Sequence, residues 1–168
     1  MQYVEANGAK IPAIGLGTWE LRGRACARIV EQALRLGYRH IDTAQIYENE
    51  REVGEGVRAS GVKRGEVFVT TKVWTNHFAP HDLERSAKES LVKLRMSEVD
   101  LLLLHWPNPQ VPLAETLGAL AHAKQMGLAR LSAFQISRWR CSRKQSPPVR
   151  SRSCAIRSST IPISTRRK

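Results

Sequence analysis

Four residues carry side chains suited to moving a proton near a strand end: Asp42, Tyr47, Lys72 and His105. Asp42 closes the short strand-like run Tyr38–Asp42 ("YRHID"), and Tyr47 follows five residues later. Lys72 ends the β-branched run "VFVTTK", where an unpaired ammonium is costly, so it needs a partner; Asp42 on a neighbouring strand is the obvious one. His105 follows four consecutive leucines. Taken singly, each has a plainer role: Asp42 as a cap or turn residue, Tyr47 as packing, His105 as a hydrogen-bonded core histidine. As a set at one rim they describe acid–base chemistry. A phenol is a weak acid, and a cation beside it stabilises the phenolate. A carboxylate fixes that cation. Tyr47 then serves as proton donor and His105 orients a carbonyl. A carbonyl protonated on oxygen accepts hydride on carbon, which calls for a cofactor and no metal.

The elements that must position them alternate along the first 130 residues. Ile11–Trp19 is a short apolar run broken by glycines. A helix follows with Cys26, Ile29, Val30, Ala33 and Leu34 at helical spacing and Gly37 as its stop. A second helical segment runs from Asn49 to Gly61, and Glu66–Trp74 has strong strand character. A third helix places Leu83, Ala87, Leu91 and Leu94 on one face, with Asp82 as cap or first-turn acid. Val99–Pro107 is a continuous apolar run, as in a strand buried on both faces, and a fourth helix ends at Gly127. Four β-then-α units of this length predict an α/β fold with a parallel sheet. It is either an open doubly wound sheet or the first half of a (β/α)8 barrel. "GLGTW" lacks the full G-x-G-x-x-G spacing of the open type, and polar residues at successive strand ends tilt the reading to the barrel.

Charge is distributed unevenly. The chain of 168 residues holds 27 Lys and Arg against 15 Asp and Glu, for a net charge of +12. Ten of the basic residues and none of the acidic ones lie beyond Arg130. Over 131–168 serine, arginine and proline are scattered and no period survives, which predicts an irregular or disordered basic tail. Cys26, Cys141 and Cys154 form no disulfide framework, and no Cys/His cluster has zinc spacing. The start shows no signal peptide and no run is long enough to span a bilayer, so the expected setting is cytoplasmic, with no membrane partner.

The sequence resembles the aldo-keto reductases, from about Tyr3 to Arg130. "GYRHIDTAQIYENEREVG" (Gly37–Gly54) is similar to that family's first signature along its length, and "GLGTW", "TKVW" and "LLLLHWP" follow in family order. The diketogluconate-reductase-like branch is the most similar flavour. The resemblance implies half of a (β/α)8 barrel over 1–130 and reduction of a small-molecule aldehyde or ketone with NADPH. It implies Asp42, Tyr47, Lys72 and His105 as a catalytic tetrad. It places Gly17, Thr18, Trp19 and Asp42 near the nicotinamide, and Trp19, Trp74, His105 and Trp106 around the substrate. Family members are monomers.

The segment 131–168 departs from that pattern. With third bases chosen freely, "LSAFQIS" can be encoded by bases that, read two positions on, spell "VGVSNF", similar to the family's fifth strand. "RSSTIPISTRR" with the preceding Ile156 becomes, by the same shift, "QVEYHPYLDQK", similar to the sixth-strand region. A non-native tail read in a shifted frame is therefore expected, and with it a chain of little or no activity that is prone to aggregate. Two other readings are a nucleic-acid-binding protein with a basic arm, and a half barrel that self-associates. A selected basic arm has no reason to preserve a second reading frame, so no specific nucleic-acid partner is expected.

Overall fold

The computed structural model describes residues 2–6, 8–136 and 159–162. The strands are β1 (Tyr3–Ala6), β2 (Ala9–Pro12), β3 (Leu16–Gly17), β4 (His40–Asp42), β5 (Phe68–Val73), β6 (Val99–Leu104), β7 (Ala129–Ile136) and β8 (Ser159–Pro162). The helices are α1 (Gly23–Arg35), α2 (Glu50–Ala59), α3 (Pro80–Leu94) and α4 (Leu113–Gln125). β1 and β2 form a separate antiparallel hairpin, and β3 to β8 form one sheet in sequence order. Within it, β3 to β7 are parallel, each neighbour reached through a helix, and β8 lies antiparallel on β7. This is the βαβ architecture expected, with a fifth parallel strand added.

The helices end where the spacing predicted. Gly37 and Gly127 have φ 102° and 75°, the left-handed region open to glycine, and follow α1 and α4. In that geometry Tyr38 N–H reaches Ala33 O at 3.0 Å and Leu128 N–H reaches Ala123 O at 3.1 Å, capping carbonyls a helix leaves free. Asp82 stands in the first turn of α3 behind Pro80, where the helix dipole favours a carboxylate.

Strand residues alternate between two environments. On the outer face Ile41, Val69, Val73, Leu102 and Leu104 pack with Val30, Leu34, Val53, Leu83, Leu94 and Leu120 of the helices in the main core. On the inner face Phe68, Leu101, Leu103 and Ala133 form a smaller cluster joined by Ile11 and Leu131.

Three expectations are corrected. The run Ile11–Trp19 is not one element: Ile11 belongs to β2, which pairs antiparallel with β1, and Leu16–Gly17 to β3. An Asn-Gly pair between strand-like residues is a strong hairpin signal. Ile29 was expected on the buried face of α1 but is 37% exposed; Cys26, Val30, Ala33 and Leu34 fill the buried stripe without it. The loss of pattern after Arg130 does not stop β7, which pairs with β6 through Leu131, Ser132, Ala133 and Phe134. Leu131 and Ala133 face the inner cluster while Phe134 faces the outer core, so a two-residue alternation suffices for a strand there. Apart from β7 and β8, the basic tail, with Cys141 and Cys154, lies outside the described residues.

Candidate active site

All four sequence-predicted catalytic residues meet at the C-terminal ends of β4, β5 and β6. Asp42 is the last residue of β4, Lys72 the penultimate residue of β5, and His105 follows β6, its N–H held by Val73 O at 3.1 Å. Tyr47 closes a 3-10 turn over Gln45–Tyr47 just after β4. Glu48 then turns left-handed at φ 55° and delivers the chain into α2.

Lys72 is the hub, 7% exposed. Its ammonium has three donors. They meet an Asp42 carboxylate oxygen, Thr43 O at 3.0 Å and the Tyr47 hydroxyl at 3.3 Å. The same Nζ lies 4.9 Å from the centre of the Tyr47 ring. The ammonium is thus paired and turned toward the phenol at once. Burial costs a charge less when it is paired and hydrogen-bonded.

His105 completes the rim from the other side. Its ring lies edge-to-face with Tyr47 at 5.7 Å and with Trp74 at 5.3 Å, and parallel to Trp106 at 6.2 Å. Burial, helped by the Lys72 charge and opposed by Asp42, pulls its pKa down to about 4. The imidazole is therefore neutral at pH 7. Its Nδ1 is buried with no hydrogen-bond partner among the described residues.

Trp19, Trp74 and Trp106 surround this rim. Trp19 is 55% exposed and packs edge-on to Tyr47 at 4.8 Å; Trp106 is 44% exposed. Together they make an aromatic surround over the polar floor. Gly17 pairs with Asp42 in the parallel register, and nothing lies within 4 Å of the place its side chain would occupy. A flat ring can approach the backbone there. Thr18 differs from its neighbours. It is buried, and both its N–H and its hydroxyl are given to Asp42 O, at 3.0 and 3.2 Å. Thr18 holds Asp42 in place.

Two residues escaped the reading of the sequence. Asn49 opens the expected helix and so looks like a cap, but it makes no cap bond. Its buried amide donates to Thr18 O at 2.7 Å and Leu21 O at 3.0 Å and accepts from the Thr43 hydroxyl at 2.8 Å. It staples the Trp19 loop to the end of β4. Gln45 donates to Ser86 and Ser90 of α3 and accepts the Trp74 N–H at 2.8 Å. Both are polar residues between β4 and α2, and spacing alone carries no sign of partners 28 to 45 residues away.

With that geometry established, the chain can be set beside known proteins. Residues 13–147 match the Aldo/keto reductase family.

The chain belongs to the aldo/keto reductase family.

It is 48% identical over 122 residues to the methylglyoxal reductase DkgB of Yersinia pestis, covering 71% of this chain and 46% of that one. The chain thus spans about half the length of the curated relatives it matches. Among solved structures, a candidate 2,5-diketo-D-gluconic acid reductase B is 51% identical with a TM-score of 0.77, over 80% of this chain and 48% of the other. An aldo-keto reductase of Bombyx mori in complex with NADP is 36% identical with a TM-score of 0.73, over 79% and 50%. The α/β fold is that of the first half of the aldo/keto reductase barrel. Among the described residues no helix is long and apolar enough to cross a membrane.

Proposed function

We propose that the rim formed by Asp42, Tyr47, Lys72 and His105 is the proton-delivery half of an NADPH-dependent carbonyl reductase, acting on small aldehydes or ketones. The observation that carries this reading is the buried Lys72 ammonium shared between the Asp42 carboxylate and the Tyr47 hydroxyl. Tyr47 gives its proton to the carbonyl oxygen. Lys72 stabilises the phenolate left behind, and Asp42 keeps Lys72 from turning away. His105, uncharged above about pH 4, holds the carbonyl oxygen by hydrogen bond and does not compete with Tyr47 as an acid. Gly17, Trp19 and Asp42 would hold the nicotinamide end of NADPH, which supplies the hydride when bound. Trp74 and Trp106 close the substrate side. Thr18 serves through Asp42.

The reading extends to the tail. Residues 131–168 are the product of a shifted reading frame that begins near Arg130, with sequence similar to the family's fifth strand and sixth-strand region encoded in the other frame. The abrupt change of charge and the two recovered strand motifs support this. Sequencing the coding DNA around codon 130 tests it: a single-base insertion or deletion should restore the family reading, and its absence refutes the shift.

The expected behaviour of this chain follows. NADPH fluorescence titration should show no saturation in the micromolar range, and a frame-restored chain should bind and reduce methylglyoxal. In the restored chain Tyr47→Phe should lower kcat at least a hundredfold while leaving the NADPH Kd within twofold. Micromolar NADPH binding by the present chain would overturn the inactive reading.

A further inference from the structure

Glu50 is the first residue of α2, and only 1% of it is exposed. Its Oε1 accepts the Thr71 hydroxyl at 2.7 Å. Among the described residues its Oε2 is buried without a hydrogen-bond partner, with Lys93 Nζ 4.0 Å away. A carboxyl is an expensive way to fill such a space, since a well-packed apolar side chain is often as stabilising there. Its position supplies a reason. Glu50 lies three residues beyond Tyr47, and Thr71 immediately precedes Lys72. Successive strand residues point to opposite faces, so Thr71 turns out toward α2 and α3 while Lys72 turns in toward Tyr47.

We propose that Glu50 is a positioning residue: its hydrogen bond to Thr71 fixes β5 from the outer face, so that Lys72 on the inner face stays beneath Tyr47. Gln45 makes the parallel strut one turn away, joining Trp74 N–H to Ser86 and Ser90. The two struts bracket Lys72 along the strand. The segment carrying the phenol and the strand carrying the ammonium are thereby tied on the side away from substrate. The inference rests on the carbonyl-reductase reading of the same rim.

The test uses the full chain with lysine labelled with carbon-13 at the ε position, so no activity is needed. The Lys72 signal is identified by its loss in Lys72→Arg. Because Nζ lies 4.9 Å from the Tyr47 ring centre, the Lys72 ε protons should carry a ring-current shift that Tyr47→Leu removes. Glu50→Leu and Thr71→Val should each remove at least half of that shift while circular dichroism shows the fold retained. Glu50→Gln, which can still accept from Thr71, should keep it. Thr71→Val preserves the β-branched shape and guards against a Glu50→Leu chain that does not fold. A side chain that only stabilises the fold would lower the melting temperature and leave the Lys72 signal in place, which overturns the inference. If Tyr47→Leu itself leaves the signal unmoved, the arrangement of the rim fails and the inference fails with it.

Discussion

The two faces of the central sheet show different designs. The outer face of β4 to β7 meets four helices and buries a continuous apolar cluster from Cys26 to Ala129. Among the described residues the inner face holds four buried apolar residues in its own cluster, and Thr70, Lys72, Asp42 and His40 share that face. β5 shows the contrast residue by residue: Val69 and Val73 belong to the outer core, while Phe68 and Lys72 belong to the inner face and its rim. Apolar burial is concentrated on one face and the polar side chains of the candidate site on the other. The alternation of a strand is what permits this, since neighbouring residues meet opposite surroundings.

That contrast can be broken most forcefully at Leu102, 1% exposed in the outer core. Leu102→Ala should destabilise the chain by about 3 kcal/mol in urea unfolding. Lys72→Met on the inner face should cost far less and should abolish activity in a frame-restored chain. Equal losses from both would erase the distinction between the faces.

A smaller effect is expected at Gly37, with φ 102°. Gly37→Ala should cost about 1 kcal/mol, because an L side chain is strained in the left-handed region. An unchanged midpoint of unfolding would show that the chain relaxes there freely.

Titration separates the faces by sign. His105 and His40 both have pKa values lowered by burial, His105 to about 4. Each binds its proton more readily when unfolded, so the native state loses stability as pH falls from the unfolded histidine value near 6.5 toward 4. Glu50 behaves oppositely. Burial raises its pKa, so its contribution favours the native state at low pH and fades as pH rises through the raised value. Unfolding free energy measured from pH 4 to 7 should therefore rise less steeply in His105→Asn than in the parent chain. The same slope in both would show that His105 is solvated in the native state.

The smallest effect concerns Cys26. Burial, with Glu52 adding to it, raises its pKa to about 11. At pH 8 its thiol should resist a disulfide reagent until the chain is unfolded, in a Cys141→Ser, Cys154→Ser background. Rapid native labelling would mean that α1 does not seal the outer core.

Much of this was readable in advance, for reasons that differ by element. α1 and α4 were legible because apolar spacing and a terminal glycine are local properties. β5 and β6 were legible because β5 is rich in β-branched residues and β6 carries four consecutive leucines, local signals that outweigh the single charged residue in each. The pairing of β1 with β2 has a local signal as well, the Asn-Gly pair in the sequence between them. β7 carried only the short alternation of Leu131, Ala133 and Phe134, and its pairing with β6 completes the strand.

By itself, the sequence determined which residues could do chemistry and which elements they would end. Asp42, Tyr47, Lys72 and His105 are set by residue type and by the strands that precede them. Only the tertiary structure decided that Lys72 reaches the Tyr47 hydroxyl across 25 residues while holding Asp42, that Thr18 and Asn49 serve as braces, and that Glu50 is buried. It also decided that burial pulls the His105 pKa down to about 4. The physical reason is common to all of these. Pattern and propensity act over a few neighbouring residues, whereas desolvation and hydrogen-bond partnership depend on which distant segments pack together.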